Sequence, residues 1–254
     1  MTASEPSWTA PFSGLRPRHF GKLIIALRRE GADPVRRGRP WSLPLEDRVL
    51  LVAAYWRTNL TLRQLAPLFG VSKSAADRII DHGGPSLALQ QRKRFRKDTV
   101  LIVDGTLVPT RDHTIAEQLK HYRYSTDHQV VIDAGTRMVV AVGRPLPGNR
   151  LQGTGTVLGE SRRRHDHRHR DGGYQGTGLV IPHRREKGQS ELPAWKEEHN
   201  ASHRTARARA RARVEQAFAR MRTWKILRDC RLKGDGAHHA MPGIVRLHIL
   251  ALAG

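Results

Sequence analysis

Three carboxylates stand where a fold could aim them. Asp104 follows the apolar run Thr99 to Val103, Asp171 opens Asp171-Gly172-Gly173-Tyr174, and Glu215 borders the apolar stripe of a helical segment. An acid at the end of a buried strand must be satisfied by hydrogen bonds or by a metal ion. Hard oxygen ligands without cysteine suit Mg²⁺ or Mn²⁺, whose sites use few carboxylates and leave room for a phosphate. Two such ions about 3.5–4 Å apart would activate an attacking oxygen and stabilise the leaving oxygen of a phosphodiester. Glu215 taken alone, surrounded by arginines, reads first as a surface ion pair. The three acids together point to phosphodiester chemistry.

The elements that would carry them are legible in the periodicity. Thr99 to Val103 reads as a buried strand that delivers Asp104 at its end. Gln129 to Asp133 and Arg137 to Val142 read as a hairpin turning at Ala134-Gly135-Thr136. Leu179 to Ile181 reads as a short strand. Arg204 to Trp224 is the strongest helix of the second half, although Arg207 to Arg213 alternates Arg and Ala with period two. Alanine is a poor strand former and both residues favour helix, so the helix wins. Val214, Ala217, Phe218, Met221 and Trp224 then share one face, with Glu215 at its edge and Arg211 and Arg222 at Glu215's azimuth. His238 to Ala253 reads as a last helix.

The first half is helical. Residues 1–14 read as a loose tail, Leu15 to Glu30 as an amphipathic helix stopped by Gly31, and Asp33 to Pro40 as a basic linker. Between Leu43 and Leu89 three helices are expected: Glu46 to Arg57, Leu62 to Phe69 capped by Thr61, and Lys73 to Asp81 capped by Ser72 and ended or interrupted by Gly83-Gly84-Pro85. Helix, the turn Phe69-Gly70-Val71-Ser72, then helix is a helix-turn-helix pattern, with Arg63, Lys73, Ser74 and Arg78 as candidate DNA contacts. An ordinary three-helix bundle with a solvated basic face is the plainer alternative, but the turn, both caps and the overall charge agree on DNA binding.

Composition narrows the partners. The 254 residues carry 45 Lys+Arg against 23 Asp+Glu, a net charge of +22, which opposes compaction unless a polyanion neutralises it. Arg outnumbers Lys 36 to 9, a bias GC-rich coding also produces, so not every Arg needs a function. One cysteine, Cys230, excludes an internal disulfide and a Cys-based zinc cage. No apolar run approaches a membrane span and no secretory signal is visible, so a cytoplasmic, nucleoid-associated protein that binds nucleic acid is expected.

Val103-Asp104-Gly105-Thr106, Asp171-Gly172-Gly173-Tyr174 and Arg211-x3-Glu215-x6-Arg222, together with the Trp224 to Arg228 tail, resemble the Asp-Asp-Glu transposases of bacterial insertion sequences, of the IS5-like group. The resemblance runs from about Leu15 to Gly254. It implies an α/β fold: an all-α helix-turn-helix domain at 43–91, after an N-terminal helix and linker at 1–42, and a ribonuclease-H-like mixed-sheet catalytic domain at 97–254. It places Asp104 on the first strand, Asp171 after the fourth and Glu215 on a following helix, together holding two divalent ions, Mg²⁺ or Mn²⁺. It implies cleavage at terminal inverted repeats, transfer of the freed 3′-hydroxyl to target DNA, and a homodimer on double-stranded DNA. Arg211 matches the family's arginine, and Arg222 stands where lysine is usual; both can bind phosphate.

Other readings remain. A helix-turn-helix transcription regulator without catalysis would need no metal and cut no DNA. His165, His167 and His169 offer zinc-ligand chemistry in a segment with no evident scaffold. A basic coat protein leaves the three acids unexplained. Tyr122, Arg123 and Tyr124 read as base-stacking or as packing, Asp112 and Asp127 as turn residues, and Trp195 as a loop anchor.

Residues 151–170 break the pattern. In the resembled family an acidic, tryptophan-bearing helix and an apolar strand lead to the second aspartate. This chain has a Gly, Arg and His block of about the right length between intact flanks. That is what GC-rich DNA yields when read out of frame, and two compensating frameshifts account for it. His165 to Arg170 offers a central strand no apolar face, so a disordered or strained loop and weak or no activity are expected.

Overall fold

The computed structural model describes residues 1–33, 40–88, 99–118, 124–148, 168–169 and 191–252. The N-terminal half is helical, in order α1 (Pro6–Ser13), α2 (Pro17–Arg29), α3 (Leu45–Thr58), α4 (Leu62–Leu68) and α5 (Lys73–Ala88). Residues 1–14 are not a loose tail. Pro6 opens α1, Gly14 closes it in the left-handed region at φ 74°, and Trp8 stacks on Phe12. The Asp47 carboxylate on α3 pins the segment, accepting from the Ala3 N–H at 2.6 Å and the Thr2 hydroxyl at 3.1 Å.

In α2, Phe20, Leu23, Ile24 and Leu27 are buried at helical spacing, as their periodicity predicts. Asn59 ends α3 in the left-handed region. At Thr61 both the N–H and the hydroxyl reach Gln64 Oε1, at 3.1 and 2.9 Å, and the Ser72 hydroxyl accepts from the Ala75 N–H at 3.2 Å. α5 does not stop at Asp81 but runs through Gly83-Gly84-Pro85 to Ala88. A Cβ at Gly83 would lie 3.0 Å from Val52, and one at Gly84 3.7 Å from His239. The missing side chains let α5 lie against α3 and against the C-terminal helix α8 (Gly236–Leu252), and that packing overrides the weak helix propensity of Gly-Gly-Pro.

The second half is a mixed sheet with helices. β1 (Leu101–Pro109) pairs antiparallel with β3 (Tyr124–Asp133) along its whole length. β2 (Glu117–Gln118), β4 (Met138–Val142) and β5 (Leu146–Pro147) pair with β3, and β6 (Arg168–His169) lies parallel to β1. The β3–β4 hairpin is the one expected, with Asp133 Oδ1 accepting from the Gly135 N–H at 2.8 Å. β1 runs five residues past Asp104, because β3 continues to supply backbone partners as far as Ser125. Asp104 is therefore mid-strand rather than at a strand end. α6 (Ala194–Ser202), α7 (Arg204–Arg222), a 3₁₀ turn (Lys225–Leu227) and α8 complete the order. This helical region followed by a mixed sheet with helices is the α/β, ribonuclease-H-like arrangement that the resemblance implies.

One hydrophobic cluster joins the two halves, from Leu23 and Trp56 through Ile79 to Ile132, Trp224 and Ile244. Arg57 stacks over the Trp224 ring at 4.6 Å, Asn59 Nδ2 donates to the Asp229 carbonyl at 2.7 Å, and Arg246 grips Glu30 through two hydrogen bonds of 2.8 and 2.7 Å. Among the described residues no helix is long and apolar enough to cross a membrane. The linker residues 34–39 and the expected strand Leu179 to Ile181 lie outside the described residues.

Candidate functional site

The pleat of β1 puts Ile102, Asp104, Thr106 and Val108 on one face, opposite Ile132, Val130, His128 and Thr126 of β3. Ile102, Val108, Val130 and Ile132 belong to the core, so Asp104 is half-buried on the side of the sheet that the helices cover. Its Oδ1 accepts from the Gly105 N–H at 2.8 Å. His128, fully buried on the same face, shares a hydrogen bond with the Thr126 hydroxyl through Nε2 at 3.1 Å. Burial first, then the charge of His238, pushes its pKa down to about 3, so its ring is neutral at ordinary pH.

Asp127 corrects a sequence expectation. It is not a turn residue but a member of β3, only 7% exposed, and its Oδ1 lies 3.2 Å from where a Cβ on Gly105 would sit. Glycine at 105 leaves that space to the carboxylate. Burial, then the negative charge of Asp104, pushes the Asp127 pKa up to about 6. Asp127 pairs with Leu107 and so stands on the opposite face of the sheet from Asp104. The signal missed in the sequence was Tyr124-Ser125-Thr126, a strand-forming lead-in that extends the Gln129 strand backwards.

Glu215 sits on α7, which packs on β1, but its side chain is 71% exposed. Its ion partner is Arg211 one turn earlier, Nε to Oε1 3.6 Å, with Arg211 84% exposed. The buried side of the helix is the expected one, with Ala217 and Met221 against the core, followed by Trp224 just past the helix end. Arg222 is exposed. Asp171 lies outside the described residues. Among those that are described, no three His, Cys, Asp or Glu side chains form a metal-binding group.

β6 bears on the disrupted segment. Expected to hold no strand, Arg168–His169 nonetheless pair with β1, Leu101 with Arg168 and Ile102 with His169. Backbone hydrogen bonding to an available strand does not require apolar side chains. Residues 151–167 and 170, and with them His165, His167 and the expected loop, lie outside the described residues.

At the helix-turn-helix, Arg63, Lys73, Ser74 and Arg78 are all exposed. At 100° per residue the exposed face of α5 also presents Asp77 and Asp81, which the sequence reading passed over. The Asp81 pKa is raised, by burial and then by Asp77. Lys73 and Arg78 are thus balanced on their own face by two acids. Arg78 Nε donates to the Ser74 carbonyl at 3.3 Å.

Asp112 is a turn residue, as expected: it accepts from the Thr114 hydroxyl at 2.6 Å and the Gly234 N–H at 2.7 Å. Tyr124 stacks on His113 at 3.8 Å, which favours packing over base stacking, while Tyr122 and Arg123 lie outside the described residues. Trp195 is not a loop anchor; it stands on α6 and is 61% exposed.

Residues 41–90 match the family described as "Helix-turn-helix of DDE superfamily endonuclease", and residues 95–250 match the "Transposase DDE domain". A chain from Streptomyces albus G, named as a transposase for insertion sequence element IS112, is 73% identical over 261 positions, covering 100% of this chain and 98% of that one. No solved structure matches.

Proposed function

The chain belongs to the DDE transposases of insertion sequences, and on that premise we propose that it binds the terminal inverted repeats of its element and cuts and joins DNA at Asp104, Asp171 and Glu215. The observation that carries the site is a register. Ile102 pairs with His169 in parallel strands, and Asp104 and Asp171 each stand two residues further along the sequence. Glu215 comes from the helix packed on β1.

The family implies divalent metal dependence. The donors present suit Mg²⁺ or Mn²⁺: all three are carboxylates, hard oxygen ligands with no sulfur among them. When bound, such ions supply an activated oxygen nucleophile and stabilise the leaving oxygen. Asp104, Asp171 and Glu215 would hold them. Arg211 and Arg222 orient phosphate oxygens, and Arg211 lies one turn from Glu215, its ion partner.

Residues 43–91 serve as the DNA-binding domain and 97–254 as the catalytic one. Arg63, Lys73, Ser74 and Arg78 contact the inverted repeat, and two copies of the chain bring the two ends of the element together. Residues 151–170 carry a frameshifted sequence that lowers activity, since errors of about 1 Å in a catalytic group cost about 100-fold in rate. The test is a labelled duplex carrying the element's terminal repeat, incubated with Mg²⁺ or Mn²⁺. Metal-dependent release of a 3′-hydroxyl end supports the reading. Repeat-specific binding with no cutting, even after the 151–170 frame is restored, would favour the transcription-regulator reading.

A further inference from the structure

α7 carries more cationic surface than the catalytic assignment uses. At 100° per residue, Arg211 and Arg222 fall within about 20° of each other on the Glu215 side. Arg209, Arg213 and Arg220 fall within about 40° of one another, and the two rows stand roughly 165° apart around the helix. On the solvent side between them lies a ridge of small residues, Ala208, Ala212 and Ala219, flanked by Glu215 on one side and Gln216 on the other, all exposed. Arg209 and Arg213 are a like-charged i,i+4 pair, an arrangement that costs an isolated helix stability, and among the described residues neither has a carboxylate partner. Arg220 shares this azimuth, but its guanidinium turns onto the sheet, 3.2 Å from the sulfur of buried Met138, which leaves Arg209 and Arg213 as the outward row.

We propose that this solvent face of α7 lies in the major groove of a DNA duplex, with the alanine ridge toward the base edges and the Arg209–Arg213 row on the phosphates of the strand opposite the one held by Arg211 and Arg222. The dimensions agree. A helix with its side chains is about 10–12 Å across and the major groove about 12 Å wide. Alanines let the helix axis come close, and a row on each flank meets a phosphate wall on each side. A polyanion there also removes the Arg209–Arg213 repulsion. The inference rests on the transposase reading and extends it, assigning the DNA contacts around the catalytic helix to a second row that the Asp-Asp-Glu pattern leaves out.

The test uses the full chain and a duplex of mixed sequence lacking the inverted repeat. Binding is measured from low to moderate salt for the parent, for Arg209→Gln/Arg213→Gln, and for Arg29→Gln/Arg137→Gln as a charge-matched control. The expected result is a salt slope reduced by about 1.8 in the α7 variant, about 0.9 for each lost phosphate contact, with the control close to the parent. Ala212→Trp, exposed and therefore harmless to folding, should weaken binding about tenfold or more by holding the helix out of the groove, and should remove protection of guanine N7 from methylation. Equal slopes in the α7 variant and the control would overturn the proposal while leaving the transposase reading intact. No affinity of the parent for any duplex at low salt would overturn both.

Discussion

Ile102 of β1 and His169 of β6 are paired across parallel strands, although His169 closes a stretch of histidines and arginines that no strand pattern predicts. The pairing sets the end of the disrupted segment beside β1, two residues before Asp171 in the sequence, where the resemblance resumes. A frameshift pair has this signature. Translating the codons of residues 151–170 in the other two frames should yield, in one of them, an apolar strand ending just before Asp171. A protein rebuilt with that frame should cut terminal-repeat DNA on the order of 100-fold faster. If neither frame gives an apolar strand, the segment is a true insertion.

The acids on the reading face of α5 set a second expectation. Asp77 and Asp81 repel phosphate but can accept from cytosine N4 in the major groove. Asp77→Ala should tighten binding to mixed-sequence DNA while reducing discrimination between repeat and mixed sequence about tenfold, the loss of about 1–3 kcal/mol per base contact. Lys73→Ala should instead weaken binding to both and lower the salt slope by about 0.9. Competition titrations against both duplexes separate the two outcomes. Unchanged discrimination in Asp77→Ala would mean that α5 does not read bases there.

The seam between the helical half and α8 is tightly packed. A Cβ on Gly243 would sit 2.5 Å from two atoms of the buried Trp56 ring, which has no room to yield. Gly243→Ala should therefore destabilise the chain by about 1–3 kcal/mol, the usual cost of overpacking, despite alanine's better helix propensity. Denaturant unfolding measures it, and a stabilised variant would show that this packing is wrong.

Acid should weaken the fold. The Trp224 indole N–H donates to His248 Nε2 at 2.9 Å, which requires a neutral ring, and burial, then Arg57 and Arg220, hold the His248 pKa down to about 4. His128 is held down to about 3. Both side chains take up a proton more readily when unfolded, near pH 6.5, so their contribution is full above that value and is lost as pH falls from about 6.5 toward 4 and below. Asp127, raised to about 6, acts in the opposite sense between about pH 6 and its unfolded value near 3.8, and offsets part of the loss. Unfolding at pH 7.5 and pH 5 should show a lower midpoint at pH 5, and His248→Gln should shrink the difference. A stability independent of pH over this range would contradict the buried neutral histidines.

Much of this was legible in the residues. The amphipathic stripe of α2, the caps at Thr61 and Ser72, the hairpin at Asp133 to Met138 and the buried side of α7 follow from local patterns that agree with the packing. What was not legible depended on distant partners. α5 outlasts Gly83-Gly84-Pro85 because α3 and α8 press against it, α1 is held by Asp47, and β1 runs past Asp104 because β3 begins at Tyr124. Asp127 looked like a turn residue because the lead-in Tyr124-Ser125-Thr126 was not read as strand, and the room its carboxylate uses beside Gly105 belongs to the neighbouring strand.

The central claim is a divalent-metal site on Asp104, and Mn²⁺ binding tests it without requiring catalysis. Mn²⁺ is titrated into the full chain with terminal-repeat DNA and followed by electron paramagnetic resonance, for the parent and for Asp104→Asn. The account predicts saturable binding that weakens at least about tenfold in Asp104→Asn, a loss typical even of residues behind the metal ligands, while DNA affinity stays unchanged. Equal Mn²⁺ binding by the two proteins would contradict it.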